Sequence, residues 1–174
     1  MNSIIPVNVN YINLKVCHIN VQSLGSANKF SFFKSYFTEN FYHIIILSET
    51  WFNTKTVDSY FSLPNYHLIR NDRKYKLGGG VAMYIHTALN YKILEKSECS
   101  SVNPLEFMLV EVGHSATTNL RVLLAVIYRP PKKALLELFE SVLQKHSCNY
   151  DRIIIMGDFN VDLNRANFES TYLQ

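Results

Sequence analysis

Asn20, Glu49, Tyr128 and Asp158 each stand just past the last apolar residue of a separate run long enough to form a β-strand. A single polar residue in that position is ordinarily a turn former or a helix cap. Four of them form a pattern, because strand ends in layered α/β folds carry loops held by a rigid sheet, and polar groups there can converge on a ligand. Together with Asn160, the side chains of Asn20, Glu49 and Asp158 offer hard oxygen donors without a competing thiolate or histidine cluster. That set suits Mg²⁺, or Mn²⁺, better than zinc. A cation held by few carboxylates keeps several waters, neutralises a phosphate and stabilises the leaving oxygen of a displacement at phosphorus. A phosphate ester is the substrate this chemistry suggests.

The elements that must position these groups follow from hydrophobic periodicity. Ile12 to Ile19 alternates apolar and polar residues and reads as a strand ending at Asn20. Phe30, Phe33, Phe37 and Phe41 recur at helical spacing within Lys29 to Tyr42, an aromatic stripe that a helix would press onto a sheet as core. His43 to Ser48 is a β-branched run expected to be buried on both faces, delivering Glu49 to its C-terminal end. Tyr66 to Arg70, Val81 to Ile85, Tyr91 to Leu94, Leu105 to Val112 and Leu120 to Tyr128 are further strand candidates, with Gly78, Gly79 and Gly80 marking a tight turn before one of them. Pro130 and Pro131 stop the long strand, and Ala134 to Lys145 then shows helical spacing. Arg152 to Met156 reads as a second fully buried strand, opening into Gly157 and Asp158. Many strands and few helices predict an α/β (α+β) fold, two sheets packed as a sandwich and flanked by helices.

Composition sets the outer bounds. The chain has 174 residues, 48% hydrophobic and 18% charged, with 11 Phe and 11 Tyr, which excludes disorder and fits one domain over residues 1–174. A formal net charge of +3 is compatible with a polyanionic partner without demonstrating one. Cys17, Cys99 and Cys148 are odd in number and far apart, so neither a disulfide framework nor a zinc site is expected, and a reducing compartment is the default. Asn and Pro interrupt the first apolar residues before a signal sequence could form, and the longest apolar runs fall far short of a membrane span, so no membrane association is expected. The sequence leaves the oligomeric state open.

The segments NVQS (20–23), LSETW (47–51), RNDR (70–73), GGGVAMYI (78–85), IYRPP (127–131) and GDFN (157–160) resemble, in order, those of the endonuclease/exonuclease/phosphatase superfamily. LSETW, the DR ahead of a GGGVA strand, and YRPP look like the apurinic-endonuclease-like domain of non-LTR (LINE-type, jockey-like) retrotransposons. The resemblance implies a four-layer α/β/β/α sandwich of two mixed sheets flanked by helices. It also implies a Mg²⁺-dependent endonuclease that nicks DNA for target-primed reverse transcription. Glu49 would then be the principal metal ligand, with Asn20 beside it and Asp158 in the same shell, where Asp158 aligns or deprotonates the attacking water. Asn160 would hold the scissile phosphate and Tyr128 would donate its phenolic hydrogen to a phosphate oxygen. Gln22 would support the metal and phosphate shell. Arg73 would meet the DNA backbone, with an exposed arginine in a solvated loop as the plain alternative, and Lys132 and Lys133 carry the same two readings.

The same resemblance implies a closing strand and a Ser-Asp-His segment whose histidine faces the phosphate. All six histidines, His18, His43, His67, His86, His114 and His146, precede Asn160 and none follows an Asp, so each reads as packing rather than catalysis. The expectation is a domain incomplete at its C-terminus and lacking its last strands. The alternative to an active nuclease is then an inactive remnant that at most binds nucleic acid. A substrate change within the superfamily, to a phosphoinositide, sphingolipid or nucleotide tail, is a third reading. Nuclear residence follows only from a chromosomal DNA substrate.

Overall fold

The computed structural model describes residues 14–98, 104–113, 121–131 and 136–161. Cys99, His114, Lys132 and Lys133, and the expected element starts at Ile12, Leu120 and Ala134, lie outside them. Among the described residues eight strands and two α-helices follow in the order β1 (Val16–Asn20), α1 (Ala27–Glu39), β2 (Ile44–Ser48), β3 (Tyr66–Asn71), β4 (Val81–His86), β5 (Asn90–Lys96), β6 (Glu106–Gly113), β7 (Arg121–Tyr128), α2 (Glu137–Ser147) and β8 (Ile153–Asp158). A 3-10 turn at Asp58–Phe61 precedes β3.

The strands form two sheets, in the orders β1-β2-β4-β3 and β5-β6-β7-β8. Each sheet is mixed. β1 runs parallel to β2 and β7 parallel to β8, while the remaining neighbours are antiparallel. Ile44, Ile46, Met83 and Ile85 of the first sheet meet Met108, Val110, Val112, Leu124 and Val126 of the second in a central core. On the outer face of the first sheet, Ile45, Leu47, Ala82 and Tyr84 lie under Phe30, Phe33 and Phe37 of α1. On the outer face of the second, Leu109, Leu123, Ala125 and Ile127 lie under Phe139 and Val142 of α2. The result is the four-layer α/β/β/α sandwich. It explains why β2 has no polar alternation: both of its faces are covered, and each buried Ile or Leu contributes about 1.5–3 kcal/mol.

The helices end where local chemistry stops them. The Ser26 hydroxyl accepts from Lys29 N at 3.3 Å as the N-cap of α1. At the other end the Asn40 backbone N–H makes the last helical bond, to Tyr36 O at 2.8 Å, and Asn40 itself turns extended, at φ −114° and ψ 103°. Phe41, expected as the last member of the stripe, therefore lies beyond the helix, against the rings of His43 and His86. In α2, Glu137 and Glu140 occupy the first turn and Lys145 and His146 the last, complementing the helix dipole. Lys145 and His146 also reach Glu95 of β5, at 3.1 and 2.9 Å, which fastens α2 to its sheet.

The second run read as fully buried differs from expectation. β8 extends to Asp158, and while Ile154 and Met156 face the central core, Ile153 and Ile155 are 39% and 37% exposed. β8 is the last strand in its sheet order, so its outer face is only partly covered. Gly157 sits opposite Ile127 in the parallel register, where a Cβ would collide with the Ile127 carbonyl.

Candidate active site

The two parallel pairs finish in register, Asn20 beside Ser48 in one sheet and Tyr128 beside Asp158 in the other. β1 and β8 come from different sheets yet lie next to each other. The C-terminal ends of four strands thus gather at one end of the sandwich.

There the Asn20 side-chain NH₂ donates to Glu49 Oε1 at 3.1 Å and to Asp158 Oδ2 at 2.7 Å, joining residues 138 positions apart. Its carbonyl oxygen accepts from the Gln22 backbone N–H at 3.2 Å. Asp158 Oδ1 accepts from the backbone N–H of Asn160 at 3.0 Å, and the Asn160 amide donates to Arg129 O at 2.8 Å. Tyr128 stands close enough to Glu49 to feel its negative charge. Burial, followed by the nearby charge of Glu49, pushes the Tyr128 phenol well above its ordinary range, against an opposite pull from Arg73. Tyr128 therefore keeps its proton and remains a donor. Asn20, Glu49, Asp158 and Asn160 are brought into one hydrogen-bonded group, with Tyr128 beside it. Gln22 joins it through its backbone.

The loop after β2 is unusual in conformation. Glu49 and Trp51 have φ of 55° and 59°, and Gln22 and Ser23 of the loop after β1 have 41° and 75°. Non-glycine residues hold such angles only where the surroundings over-determine them. Here Ser23 N bonds Glu49 O at 2.8 Å and Leu24 N bonds Thr50 O at 3.0 Å, while Trp51 N bonds Gly79 O at 2.8 Å. Gly79 and Gly80, at φ of 70° and 85°, must be glycine twice over. A Cβ on Gly79 would strike Arg73 and Glu106, and one on Gly80 would strike the Thr50 hydroxyl.

Arg73 is not where the sequence placed it. It is 6% exposed, its guanidinium pairs with Glu106, which is 1% exposed, and it lies 5.7 Å over the Tyr128 ring. Glu106 also accepts the Gly80 backbone N–H. An exposed arginine meeting the DNA backbone is thus replaced by a buried one that supports the loop under Tyr128. Its carboxylate partner begins β6, 33 residues away, and carried no sequence signal. The spacing of DR and GGG explains itself here, since both segments close on the same ion pair.

Two further side chains were missed. Trp51 Nε1 donates to Glu49 Oε2 at 3.4 Å, a contact foreshadowed only by its place in LSETW. His18 Nε2 lies 3.0 Å from the Ser48 hydroxyl. Burial lowers its pKa from the ordinary value, while the Asp158 charge pulls the other way.

Among the described residues no three of His, Cys, Asp and Glu form a metal-binding cluster. A hard cation fits nonetheless, because Glu49 and Asp158 share one amide NH₂, whose positive end lies between two carboxylates as a cation's charge would. Two carboxylates and waters, with the Asn20 oxygen added when its amide turns over, are an ordinary Mg²⁺ set and a poor one for zinc.

The model of the endonuclease/exonuclease/phosphatase family matches residues 8–172. The chain belongs to that family. Solved structures share the fold: D. rerio TDP2 complexed with a single-strand DNA product has a TM-score of 0.60 at 15% identity, covering 92% of this chain and 64% of that one. An AP endonuclease from Archaeoglobus fulgidus has a TM-score of 0.56 at 19% identity, covering 85% and 58%. AP endonuclease LMAP from Leishmania major has 0.60 at 17%, covering 90% and 60%. This chain spans less than two thirds of the length of each of these three. No curated protein matches it in sequence. Among the described residues no helix is long and apolar enough to cross a membrane.

Proposed function

We propose that this member of the endonuclease/exonuclease/phosphatase family is a divalent-metal-dependent endonuclease domain that nicks DNA, as the first step of target-primed reverse transcription in a non-LTR retrotransposon. The observation that carries the hydrolytic part is the single amide of Asn20 holding Glu49 and Asp158 together, with Tyr128 beside Glu49. RNDR, GGGVAMYI and IYRPP support the retrotransposon branch. The similar structures, a TDP2 complexed with a DNA product and two AP endonucleases, support DNA as the partner. Chromosomal DNA as substrate would put the domain at work in the nucleus.

Glu49 and Asp158 would hold Mg²⁺ or Mn²⁺, joined by the Asn20 oxygen once its amide turns over from the orientation in which the NH₂ faces both carboxylates; the cation would neutralise phosphate charge and stabilise the departing oxygen. Asp158, its carboxylate oriented by the Asn20 amide and the Asn160 backbone, aligns the attacking water and takes its proton. Tyr128, protonated throughout the working range, donates to a phosphate oxygen as negative charge builds. Asn160 uses one amide hydrogen on Arg129 O and has the second to hold the phosphate. Relaxation of supercoiled plasmid tests the proposal: open circles form with Mg²⁺ and not with EDTA. Supercoils that survive Mg²⁺ and Mn²⁺ alike in a folded sample would refute it.

A further inference from the structure

Trp51 is the chain's one tryptophan, and it is 48% exposed at the edge of the site. Isolated apolar residues on a surface need no explanation, but this one is held in place. Its backbone takes φ of 59°, an outlier for a bulky aromatic residue, and is fixed there by the bond from Trp51 N to Gly79 O at 2.8 Å. The next residue, Phe52, is 3% exposed, so the chain turns one ring into the core and the adjacent ring out. The indole N–H is tied to Glu49 Oε2 at 3.4 Å, and Gly78, at φ of 86°, passes close enough that a Cβ there would stand 3.7 Å from that nitrogen. The flanking loop presents Leu77, 92% exposed, between glycine and the exposed Lys76, with exposed Lys74 nearby. Backbone strain of this kind collects at functional sites. An exposed aromatic face beside lysines is what single-stranded nucleic acid binds, the lysines meeting phosphate and the ring meeting a base.

We infer that Trp51 is a stacking platform for an unpaired nucleobase next to the scissile phosphate, so that the site favours polynucleotides with an unstacked base at that position. The inference rests on the proposed nuclease reading and names what its site grips beyond phosphate. Stacking is indifferent to base identity, because every base offers a π face, so the contact selects for an accessible base rather than for a sequence. Because the indole is anchored to Glu49, the stacked base and the reacting phosphate are held in one frame.

Titration of the wild-type chain with octathymidylate in EDTA and low salt, followed by indole emission and by anisotropy of the labelled oligonucleotide, tests this. A second oligonucleotide of the same length, with abasic spacers in place of the bases, carries the same phosphates. The expected result is saturable quenching by octathymidylate, little quenching by the abasic chain, and about tenfold weaker octathymidylate binding by Trp51→Leu, the loss of one base–aromatic stack. Trp51→Phe keeps a ring and is expected to bind within about threefold of wild type, which separates stacking from the lost N–H bond and from any folding defect. Octathymidylate binding with unchanged emission, or equal affinity of the Leu variant and wild type, would overturn the stacking role and leave the nuclease reading standing. Failure of both oligonucleotides to bind would likewise overturn the stacking role, while the nuclease reading stands or falls by plasmid nicking with Mg²⁺.

Discussion

Replacing Glu106 by Gln removes one charge from the buried Arg73–Glu106 pair with almost no change in volume. The pair is 6% and 1% exposed, so little water is at hand to screen the remaining guanidinium. Breaking a buried ion pair by removing one partner costs about 3–5 kcal/mol, whereas a surface pair is worth about 0–1 kcal/mol. Because Glu106 also accepts the Gly80 N–H, part of the loss falls on the loop that holds Trp51 and Glu49. At roughly 2–4 °C per kcal/mol for a chain of this size, Glu106→Gln lowers Tm by about 6–20 °C. The assay is urea and thermal unfolding followed by circular dichroism, with Arg73→Met and the Arg73→Met/Glu106→Leu double variant completing a cycle. The double variant should recover at least half of the loss of either single one, since apolar replacement of both partners is often neutral. A Glu106→Gln loss below about 1 kcal/mol would refute the reasoning, because that is the behaviour of a solvated pair.

Three further outcomes follow from the site. Tyr128→Phe should leave folding intact, because the ring stays in the core, and reduce nicking by roughly 10²–10³-fold in single-turnover assays, as for loss of a transition-state donor. Asn20→Asp places a third carboxylate between Glu49 and Asp158, so its Tm should fall in EDTA and rise with Mg²⁺ by more than the wild type's does. Burial lowers the pKa of His18, His43 and His86 from the ordinary 6.5. The unfolded chain therefore takes up protons first, and this stability is fully present above pH 6.5 and lost as pH falls through the lower folded values. His43 Nδ1 accepts the Lys15 backbone N–H at 3.0 Å, which a protonated ring cannot do, so His43→Gln should flatten part of the acid slope in urea titrations.

The strands were legible because they are continuous apolar runs rich in β-branched residues, and the polar residues after them stood out against those runs. HIIILS showed its burial on both faces for this reason, and the structure covers it from both sides. The convergence of Asn20 with Asp158 could not be read from periodicity, since periodicity does not say which sheet a strand joins or which strands lie at its end. RIIIM looked as buried as HIIILS, yet β8 is last in its sheet order, and that is a property of topology rather than of local sequence. Arg73 misled because a charged residue between Asp72 and Lys74 reads as solvated, while its neutralising partner lies in a distant strand. Phe41 fits the helical spacing, but Asn40 leaves the helical conformation for an extended one, at φ −114° and ψ 103°, and ends the helix before it.

The central claim is that Glu49 and Asp158, joined through Asn20, make a metal-dependent site for phosphodiester cleavage. Its most direct test compares the Mg²⁺-dependent rate of plasmid nicking by the wild-type chain and by Asp158→Ala, with DNA binding measured on both. The account predicts that nicking is lost in the variant while DNA binding and the unfolding transition are kept. Nicking by Asp158→Ala at the wild-type rate would contradict it.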